Sequence, residues 1–230
     1  MIVAVQYPEF LPGLAYFDRL FNADLHIILD SVGMPKRSGI CRTVILGRRG
    51  TTRLSVPVLR SGRRDQLIRD THIDNSGNWK KKLLDRLYHH YCGSPFFEDI
   101  YPLVKAIISR PHSRIADMNI ELIKKVAGVM QLPENHVRSS ELEITGSGSE
   151  YLLKLIRTVG GDVFLAADET RSFLSEHEFS RNGISIRRHS FEHPPYDQYS
   201  GKFYPDLSVF DALSHCTRQR VYSFFTPAAR

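Results

Sequence analysis

Polar side chains follow the first two apolar runs of the chain and are its first candidates for chemistry. Gln6 comes directly after the apolar residues 1–5, and Asp30 directly after the apolar residues 25–29. An amide can hold a polar or anionic group, and a carboxylate can accept a proton, bind a ribose hydroxyl or hold a substrate amine. Each residue also has a structural interpretation: Gln6 could satisfy loop backbone groups, and Asp30 could be a simple turn residue.

Basic residues crowd the segment that follows Asp30. Lys36 could bind phosphate as a point charge, and Arg37 and Arg42 as planar forks. Alternatively, they neutralise Asp30 and Asp24. The basic segment, residues 36–69, contains Lys36, Arg37, Arg42, Arg48, Arg49, Arg53, Arg60, Arg63, Arg64 and Arg69. Such a density favours a partner that carries phosphate, on a nucleotide, a lipid carrier or a nucleic acid, although a solvated basic face has the same composition.

A histidine with a carboxylate two residues later is a further candidate. His72 lies near the end of the β-prone residues 66–73 and Asp74 directly follows them, and the period of a strand would put both side chains on one face. A histidine beside a carboxylate can act as a base. The chain holds 10 histidines, so accidental matches of this kind are common. Asp30 and His72 are therefore the two alternatives for a catalytic base.

Composition limits the class of protein. Hydrophobic residues make up 42% and charged residues 24% of the chain, as in ordinary globular proteins. Its 3 cysteines are far apart and odd in number, which is typical of reduced thiols in a cytosolic protein. No apolar stretch approaches the roughly 18 residues of a transmembrane helix, and the first apolar run is too short for a signal peptide. We therefore expect a cytoplasmic protein with no membrane span, and no metal-type spacing is present.

A strand–helix–strand pattern positions the first candidates. Residues 1–5 and 25–29 have the character of short buried strands, with a crossover helix at residues 13–21. In such parallel sheets, ligands bind beyond the carboxyl ends of the strands, where Gln6 and Asp30 would stand. The crossover helix points its positive N-terminus at the same edge, which suits an anion. We therefore place the predicted site in the loops after the first two strands.

The remainder of the chain continues the alternation of strands and helices. A β-hairpin is predicted over residues 40–58, and three helical patterns run through residues 79–130. Further helical stretches are predicted at residues 169–174 and 207–213. The sequence thus predicts a single α/β domain, with a three-layer, mostly parallel, Rossmann-like sheet, a β-hairpin, and a helical insert or lobe at residues 79–130.

Short motifs in a fixed order resemble the WbqC-like protein family over nearly the whole chain. The family opens with a QPxYLPWLGYF-like segment, which Gln6 to Phe17 resemble. The later matching motifs are Lys36-Arg37-Ser38 with Arg42, Leu54 to Val58, Ser94 to Phe97, Asn119, Ser139-Ser140, and the ending with Tyr196, Gln198, Phe203, Pro205, Leu207-Ser208 and Asp211. The chain departs from the family pattern at Tyr7, Gly13, Ala15 and Ser31.

The resemblance implies further site residues and a broad role. It adds Tyr16, Asn119, Tyr196 and Gln198 to the substrate-binding residues suggested above. The family is linked mostly with bacterial surface-polysaccharide and specialised-metabolite biosynthesis. Its opening is remotely similar to the HIGH-type nucleotidyltransferase fold, but this chain has no HIGH histidines in its first loop.

Together these features predict a transferase that moves an acyl or aminoacyl group to an amine of a nucleotide-linked sugar or specialised metabolite. A phosphate-bearing small molecule is the expected partner, and an aminoacyl-tRNA donor is suggested by charge alone. The cofactor is left open. Two alternatives also stay open: a non-catalytic nucleic-acid-binding protein that uses the basic segment, and a nucleotidyltransferase-like enzyme.

Overall fold

The computed structural model describes residues 1–36, 38–59, 65–167 and 174–227, and this part of the chain folds around a five-stranded sheet. The strands are β1 (Ile2–Gln6), β2 (Leu25–Ile28), β3 (Arg42–Gly47), β4 (Gly50–Ser55), β5 (His136–Arg138), β6 (Val163–Ala167) and β7 (Ser185–His189). The helices are α1 (Leu14–Phe21), α2 (Trp79–Tyr91), α3 (Phe97–Ser109), α4 (Ile115–Val129), α5 (Gly148–Thr158), α6 (Glu176–Arg181), α7 (Val209–His215) and α8 (Arg218–Tyr222).

The main sheet is parallel throughout, in the order β5-β2-β1-β6-β7. β3 and β4 form a separate antiparallel hairpin. The central strands are short apolar runs because both of their faces are covered. Val3, Ile27 and Phe164 pack on one face against α5 and α6, where Phe179 is fully buried. α1 covers the opposite face, so the described chain forms the expected three-layer α/β fold.

Helices α2 to α4 fill residues 79–129 and pack into the larger core of the protein. Leu87, Phe97 and Ile123 belong to one apolar cluster that also contains Phe17 of α1. α3 stays helical through Pro102, although proline cannot supply the usual backbone donor there. The three helices therefore share their core with α1, and their description as an insert or lobe stays a prediction.

The chain after residue 206 returns to cover the start of α1. Ser208 Oγ donates to the carbonyl oxygen of Leu11 at 2.9 Å, and the Val209 amide donates to that of Pro12 at 2.8 Å. A Cβ atom on Gly13 would lie 2.9 Å from the Leu207 carbonyl oxygen, so the approach requires glycine. The N-terminus of α1 is thus packed against this returning segment.

Several local expectations can be compared with the structure. The predicted hairpin forms, with Arg48 and Arg49 in a two-residue turn between β3 and β4. Residues 66–73 do not form a strand; Ile68–Asp70 form a 3₁₀ turn instead. The helix expected at residues 169–174 falls almost entirely on 168–173, outside the described residues. Within the described residues, no helix is both long and apolar enough to span a membrane.

Candidate functional site

At the carboxyl end of the sheet, the last residues of three strands carry polar side chains. Arg138 is the register partner of Ile28, and Ile28 is the partner of Gln6. His189 is the partner of Ala167, which ends β6 beside β1. Partners in a parallel sheet project to the same face, so Arg138, Gln6 and His189 all lie on the face covered by α1. The carboxyl end of this face is therefore polar, whereas its middle, with Ala4 and Leu165, and the face toward α5 are apolar.

The strand order reverses between β1 and β6. β2 and β5 extend the sheet on one side of β1, and β6 and β7 extend it on the other. In doubly wound sheets the ligand crevice lies at this reversal, beyond the carboxyl ends of the strands. The chain after β6, residues 168–173, is outside the described residues. The described wall of the crevice is therefore the loop after β1, residues 7–12.

The side chains of Gln6 and Tyr16 both contact His26, so these two residues of the predicted site are neighbours. In the amide orientation that matches donors with acceptors, the Gln6 oxygen accepts from Arg19 Nη2 at 2.9 Å and from Arg19 Nε at 3.1 Å. The Gln6 nitrogen then donates to His26 Nε2 at 3.2 Å. The rings of Tyr16 and His26 meet edge to face, with 5.5 Å between their centroids. Burial raises the pKa of Tyr16, with a further rise from Glu9, so its hydroxyl stays protonated.

Asp30 is fully buried and holds the ends of β2 and β5 together. Its Oδ2 accepts from Arg138 Nε at 2.7 Å and from Ser140 Oγ at 2.9 Å. Its Oδ1 accepts from Ser139 Oγ at 3.1 Å and from the Ser140 amide at 3.0 Å. Arg138 also pairs with Asp117 at the start of α4, at 3.0 Å. A buried carboxylate needs such partners, and a catalytic role for Asp30 stays a prediction that requires one of these bonds to open.

His72 lies in a segment attached to the same edge, but without the predicted carboxylate partner. The Arg69 amide donates to the carbonyl oxygen of Asp30 at 2.8 Å, which brings this segment to the end of β2. Asp74 accepts instead from the Ser76 amide at 3.0 Å and from Ser76 Oγ at 2.6 Å. These bonds lower the pKa of Asp74. Within the described residues, no hydrogen bond joins His72 to Asp74.

The predicted phosphate-binding residues flank the loop after β1. The Phe10 amide donates to the carbonyl oxygen of Gly39 at 2.9 Å, which joins that loop to the basic segment. Lys36 is exposed, and Arg42 is half-buried at the start of β3. Arg37 lies outside the described residues, as do Arg60, Arg63 and Arg64.

Asn119 fastens two of these loops to α4. It is fully buried, and its Nδ2 donates to the carbonyl oxygens of Pro8 and Ile40, at 2.8 Å each. One amide therefore holds both the loop after β1 and the turn before β3. This geometry makes Asn119 a positioning residue for the predicted site.

Tyr196 and Gln198 belong to a different network, centred on buried Asp211 of α7. Asp211 Oδ2 accepts from Tyr196 Oη at 2.7 Å and from Gln198 Nε2 at 3.1 Å. Asp211 Oδ1 accepts from Tyr91 Oη at 2.8 Å, and Tyr91 Oη accepts from the Leu46 amide at 2.8 Å. Burial, together with the Asp211 charge, raises the pKa of both tyrosines. Their substrate-binding role stays a prediction, since none of these bonds reaches the main sheet.

The sequence reasoning missed a buried acid–histidine pair beside the crevice. Asp18 of α1 is 1% exposed, and its Oδ2 contacts His189 Nε2 at the end of β7. The side chain of His189 is 10% exposed. The available signal was an aspartate among the buried residues of a short amphipathic helix, next to Phe17. A neutral His189 that donates Nε2–H to Asp18 keeps Nδ1 as the nitrogen able to accept a proton.

The described residues offer few groups for metal binding or thiol chemistry. No group of three or more His, Cys, Asp or Glu side chains among the described residues could hold a metal ion. Cys41 and Cys216 are buried, Cys92 is exposed, and none of the three forms a disulfide.

A doubly wound parallel sheet with a polar carboxyl edge defines a Rossmann-like α/β protein. The chain belongs to the WbqC-like protein family, whose model matches residues 7–223. It is also similar to the uncharacterized protein Rv1507c of Mycobacterium tuberculosis (strain ATCC 25618 / H37Rv), with 26% identity over 215 residues that cover 92% of either chain. No solved structure matches it.

Proposed function

We propose that the protein is a cytoplasmic transferase that binds a phosphate-bearing small molecule at the carboxyl edge of the main sheet. It would transfer an acyl or aminoacyl group to an amine of a nucleotide-linked sugar or specialised metabolite, within surface-polysaccharide or specialised-metabolite biosynthesis. The observation that carries this proposal is the strand reversal between β1 and β6, where polar side chains end the neighbouring strands.

Basic side chains on the surrounding loops would supply the phosphate contacts. Lys36 and Arg42 lie on either side of the turn that contacts the loop after β1. The Arg69 amide donates to the carbonyl oxygen of Asp30, which places its 40% exposed side chain near the end of β2. Leu207 and Ser208 cover the N-terminus of α1. We therefore assign the phosphate to the side chains of Lys36, Arg42 and Arg69, and not to the start of that helix. The net charge of +6 would also favour an aminoacyl-tRNA donor.

Acyl transfer to an amine needs a base. The amine nitrogen forms a bond to the acyl carbon, the bond from that carbon to the donor breaks, and the proton lost by the amine passes to the base. The leaving group of the donor takes up a proton in return. We favour His189 as the base for two reasons. Asp18 contacts its ring and orients it, and His189 lies at the same carboxyl edge of the sheet as Gln6. His72 and Asp30 are the alternatives, although Asp30 already accepts four hydrogen bonds through Oδ1 and Oδ2 from Arg138, Ser139 and Ser140.

The experiment combines binding with turnover. A thermal-shift screen of nucleotides and nucleotide-linked amino sugars should find a ligand that raises the melting temperature by mass action. Positive nucleotide sugars are then incubated with acyl-coenzyme A or aminoacyl-tRNA donors, and the products are identified by mass spectrometry. Pyrophosphate release from ATP or CTP would indicate a nucleotidyltransferase instead.

Variants identify the base among the three candidates. His189→Gln, His72→Gln and Asp30→Asn are compared with His177→Gln, which replaces an exposed histidine of α6. Loss of the general base is expected to lower kcat about 100-fold or more, with the ligand-induced thermal shift retained. Full turnover in all three variants would eliminate this set of bases, and no nucleotide binding at all would eliminate the proposed site.

A second candidate function follows from the exposed arginines of the hairpin. Arg48 and Arg49 form its turn, and Arg53 projects from β4. Arg48 and Arg49 are exposed, and Arg53 also lies on an exposed position of its strand. Such a surface suits phosphates of a nucleic acid, whose affinity would fall steeply with salt. Salt-dependent RNA binding that is lost in an Arg48→Ala/Arg49→Ala variant, without any turnover, would favour this function over the transferase.

A further inference from the structure

A cavity of about 240 Å³ lies between the end of α2, the turn of the hairpin and the loop that precedes α7. Its lining includes Arg48, His89, His90, Tyr91, Tyr199 and His215. The described lining residues belong neither to the main sheet nor to the loops after β1 and β2. The cavity is therefore separate from the carboxyl edge at which we place the transferase site.

The Asp211 network forms the floor of this cavity. Tyr91 donates its hydroxyl to Asp211 Oδ1, and His215 Nδ1 donates to the carbonyl oxygen of Asp211 at 2.9 Å. The Tyr199 ring meets the His215 ring edge to face, with 5.0 Å between their centroids. His215 Nε2 is buried, so this ring shapes the cavity without contacting a ligand. The groups open to a ligand are therefore those at the rim.

Basic side chains converge at that rim. Arg86, His89 and His90 share one face of α2 because they are three and four residues apart. Arg48 and His89 are exposed, and Arg86 Nη2 donates to the neutral Thr52 hydroxyl at 2.8 Å. Within the described residues, no ion pair involves these arginines or these histidines. None of the described lining residues is an Asp or a Glu.

Two negative features beside the cavity oppose this charge. The C-terminal end of α2 contributes roughly half an elementary charge, and the Asp211 carboxylate beneath the floor contributes one. Two guanidinium groups exceed that sum. The charges that act on His90 come from His89, Arg86 and Arg48, all of them basic groups. The surroundings of His90 are therefore positive.

His90 supplies a neutral donor in these surroundings. Burial, followed by its basic neighbours, lowers the pKa of His90, so the ring is uncharged at neutral pH. Its Nδ1 is buried and has no hydrogen-bond partner among the described residues. A proton on Nδ1 would be a buried donor without an acceptor, so the neutral ring carries its proton on Nε2. Nε2–H is then the donor that a ligand can reach.

We propose that this cavity binds a phosphate monoester group, with Arg48 as the planar fork and His90 Nε2–H as a second donor. A guanidinium binds phosphate through two parallel hydrogen bonds, and a doubly charged group matches two arginines without a contacting acid. The cavity is smaller than the roughly 300–1,000 Å³ of sites for drug-sized ligands, so it suits the phosphate end of a ligand. Tyr199, 57% exposed, offers a ring face to the remainder.

Titration of the full chain with inorganic phosphate, followed by NMR of the histidine rings, tests the site. At mildly alkaline pH and constant ionic strength, the His90 resonances should shift in a saturable manner, and singly charged acetate should shift them less. Arg48→Gln should weaken phosphate binding about tenfold or more, the effect of a lost hydrogen bond to a charged group. Arg49→Gln, an exposed neighbour in the same turn that does not line the cavity, should bind inorganic phosphate like the wild type.

These outcomes separate a built site from diffuse attraction to a basic surface. No saturable shift, or equal losses in the Arg48 and Arg49 variants, would overturn the proposal. His90→Phe should also weaken binding. If that variant fails to fold, the two exposed arginine variants decide.

Two further probes identify the source of the phosphate. Glycerol 1-phosphate represents a small metabolite and a 5′-phosphorylated RNA oligonucleotide a nucleic-acid end, and each is compared with its counterpart that lacks the phosphate. A preference for the phosphorylated form that is lost in Arg48→Gln supports the site, and the probe with the larger preference gives the ligand class. Equal binding of both forms of both probes would contradict it. These measurements need no turnover, so they decide the matter whether or not the transferase proposal holds.

Discussion

Asp18 and His189 form a buried pair between α1 and β7, although 171 positions separate them in the chain. The contact joins α1, the helix between β1 and β2, to β7, the last strand of the sheet. The contact can therefore form only when the first helix and the last strand are both in place, and it lies beside the predicted crevice.

Replacing Asp18 with Asn should destabilise the protein by about 1–2 kcal/mol, because the His189 ring exchanges a charged hydrogen-bond acceptor for a neutral one. Urea unfolding followed by circular dichroism measures the effect. Glu150→Gln, which breaks an exposed pair with Lys154, is the matched control and should leave the unfolding midpoint nearly unchanged. A loss for Asp18→Asn as small as that of the control would show that the pair adds little to stability.

Removing the Tyr91 hydroxyl should cost about 1–3 kcal/mol, because Asp211 loses a buried donor and the Leu46 amide loses its acceptor. Tyr91→Phe is compared by chemical denaturation with Tyr88→Phe. Tyr88 lies on the same helix and is 52% exposed, so its variant should behave like the wild type. Equal stabilities for the two variants would contradict the importance of the Asp211 network.

Buried His26 should make folding sensitive to acid. The pKa of His26 is about 3 in the folded protein, against 6.5 for a solvated histidine in the unfolded chain, so between these values the unfolded chain binds the extra proton. Stability from this residue is complete above pH 6.5 and is lost as the pH falls toward 3, with a slope of up to about 1.4 kcal/mol per pH unit.

Unfolding free energies measured across this pH range test that slope. His26→Gln, which keeps an amide donor and acceptor, should flatten it, whereas the exposed His177→Gln should not. A slope that is equally steep in the His26 variant would assign the acid sensitivity to other groups.

Asn119→Asp should disrupt the candidate site as well as the fold. The variant would place a carboxylate against the carbonyl oxygens of Pro8 and Ile40 in a fully buried position. We expect a loss of about 3 kcal/mol or more and weaker binding of any ligand found in the thermal-shift screen. Asn78→Asp, an exposed change before α2, is the control, and wild-type stability in Asn119→Asp would refute the positioning role.

The sheet could be predicted from sequence because its central strands are covered on both faces and therefore form apolar runs. β1, β2 and β6 have this character, and the prediction of an α/β fold is confirmed. β5 is only three residues long and contains His136 and Arg138, so no local pattern marked it as a strand. The fold class follows from local patterns, whereas the edge strand depends on pairing with β2.

For the candidate site, the sequence indicates only a location after the first two strands, and that location stays a prediction. The His72–Asp74 pair required a strand, and Leu67 and Ile73 form only isolated bridges, so the alternating period does not apply. Arg138 and His189 were not identified because their carboxylate partners, Asp30 and Asp18, are more than a hundred positions away. Contacts of this kind are decided by tertiary packing and leave no short-range signal.

The strand order has a consequence for the protein during its synthesis. β1 is made first, yet its neighbour β6 begins at residue 163, and Ser208 closes over the loop after β1 only later. A ribosome adds about 5–20 residues per second, so the apolar edge of β1 waits roughly ten seconds or more for its partner. In the nascent chain, the edge of β1 that pairs with β6 therefore lacks its native partner until the last third of the protein emerges.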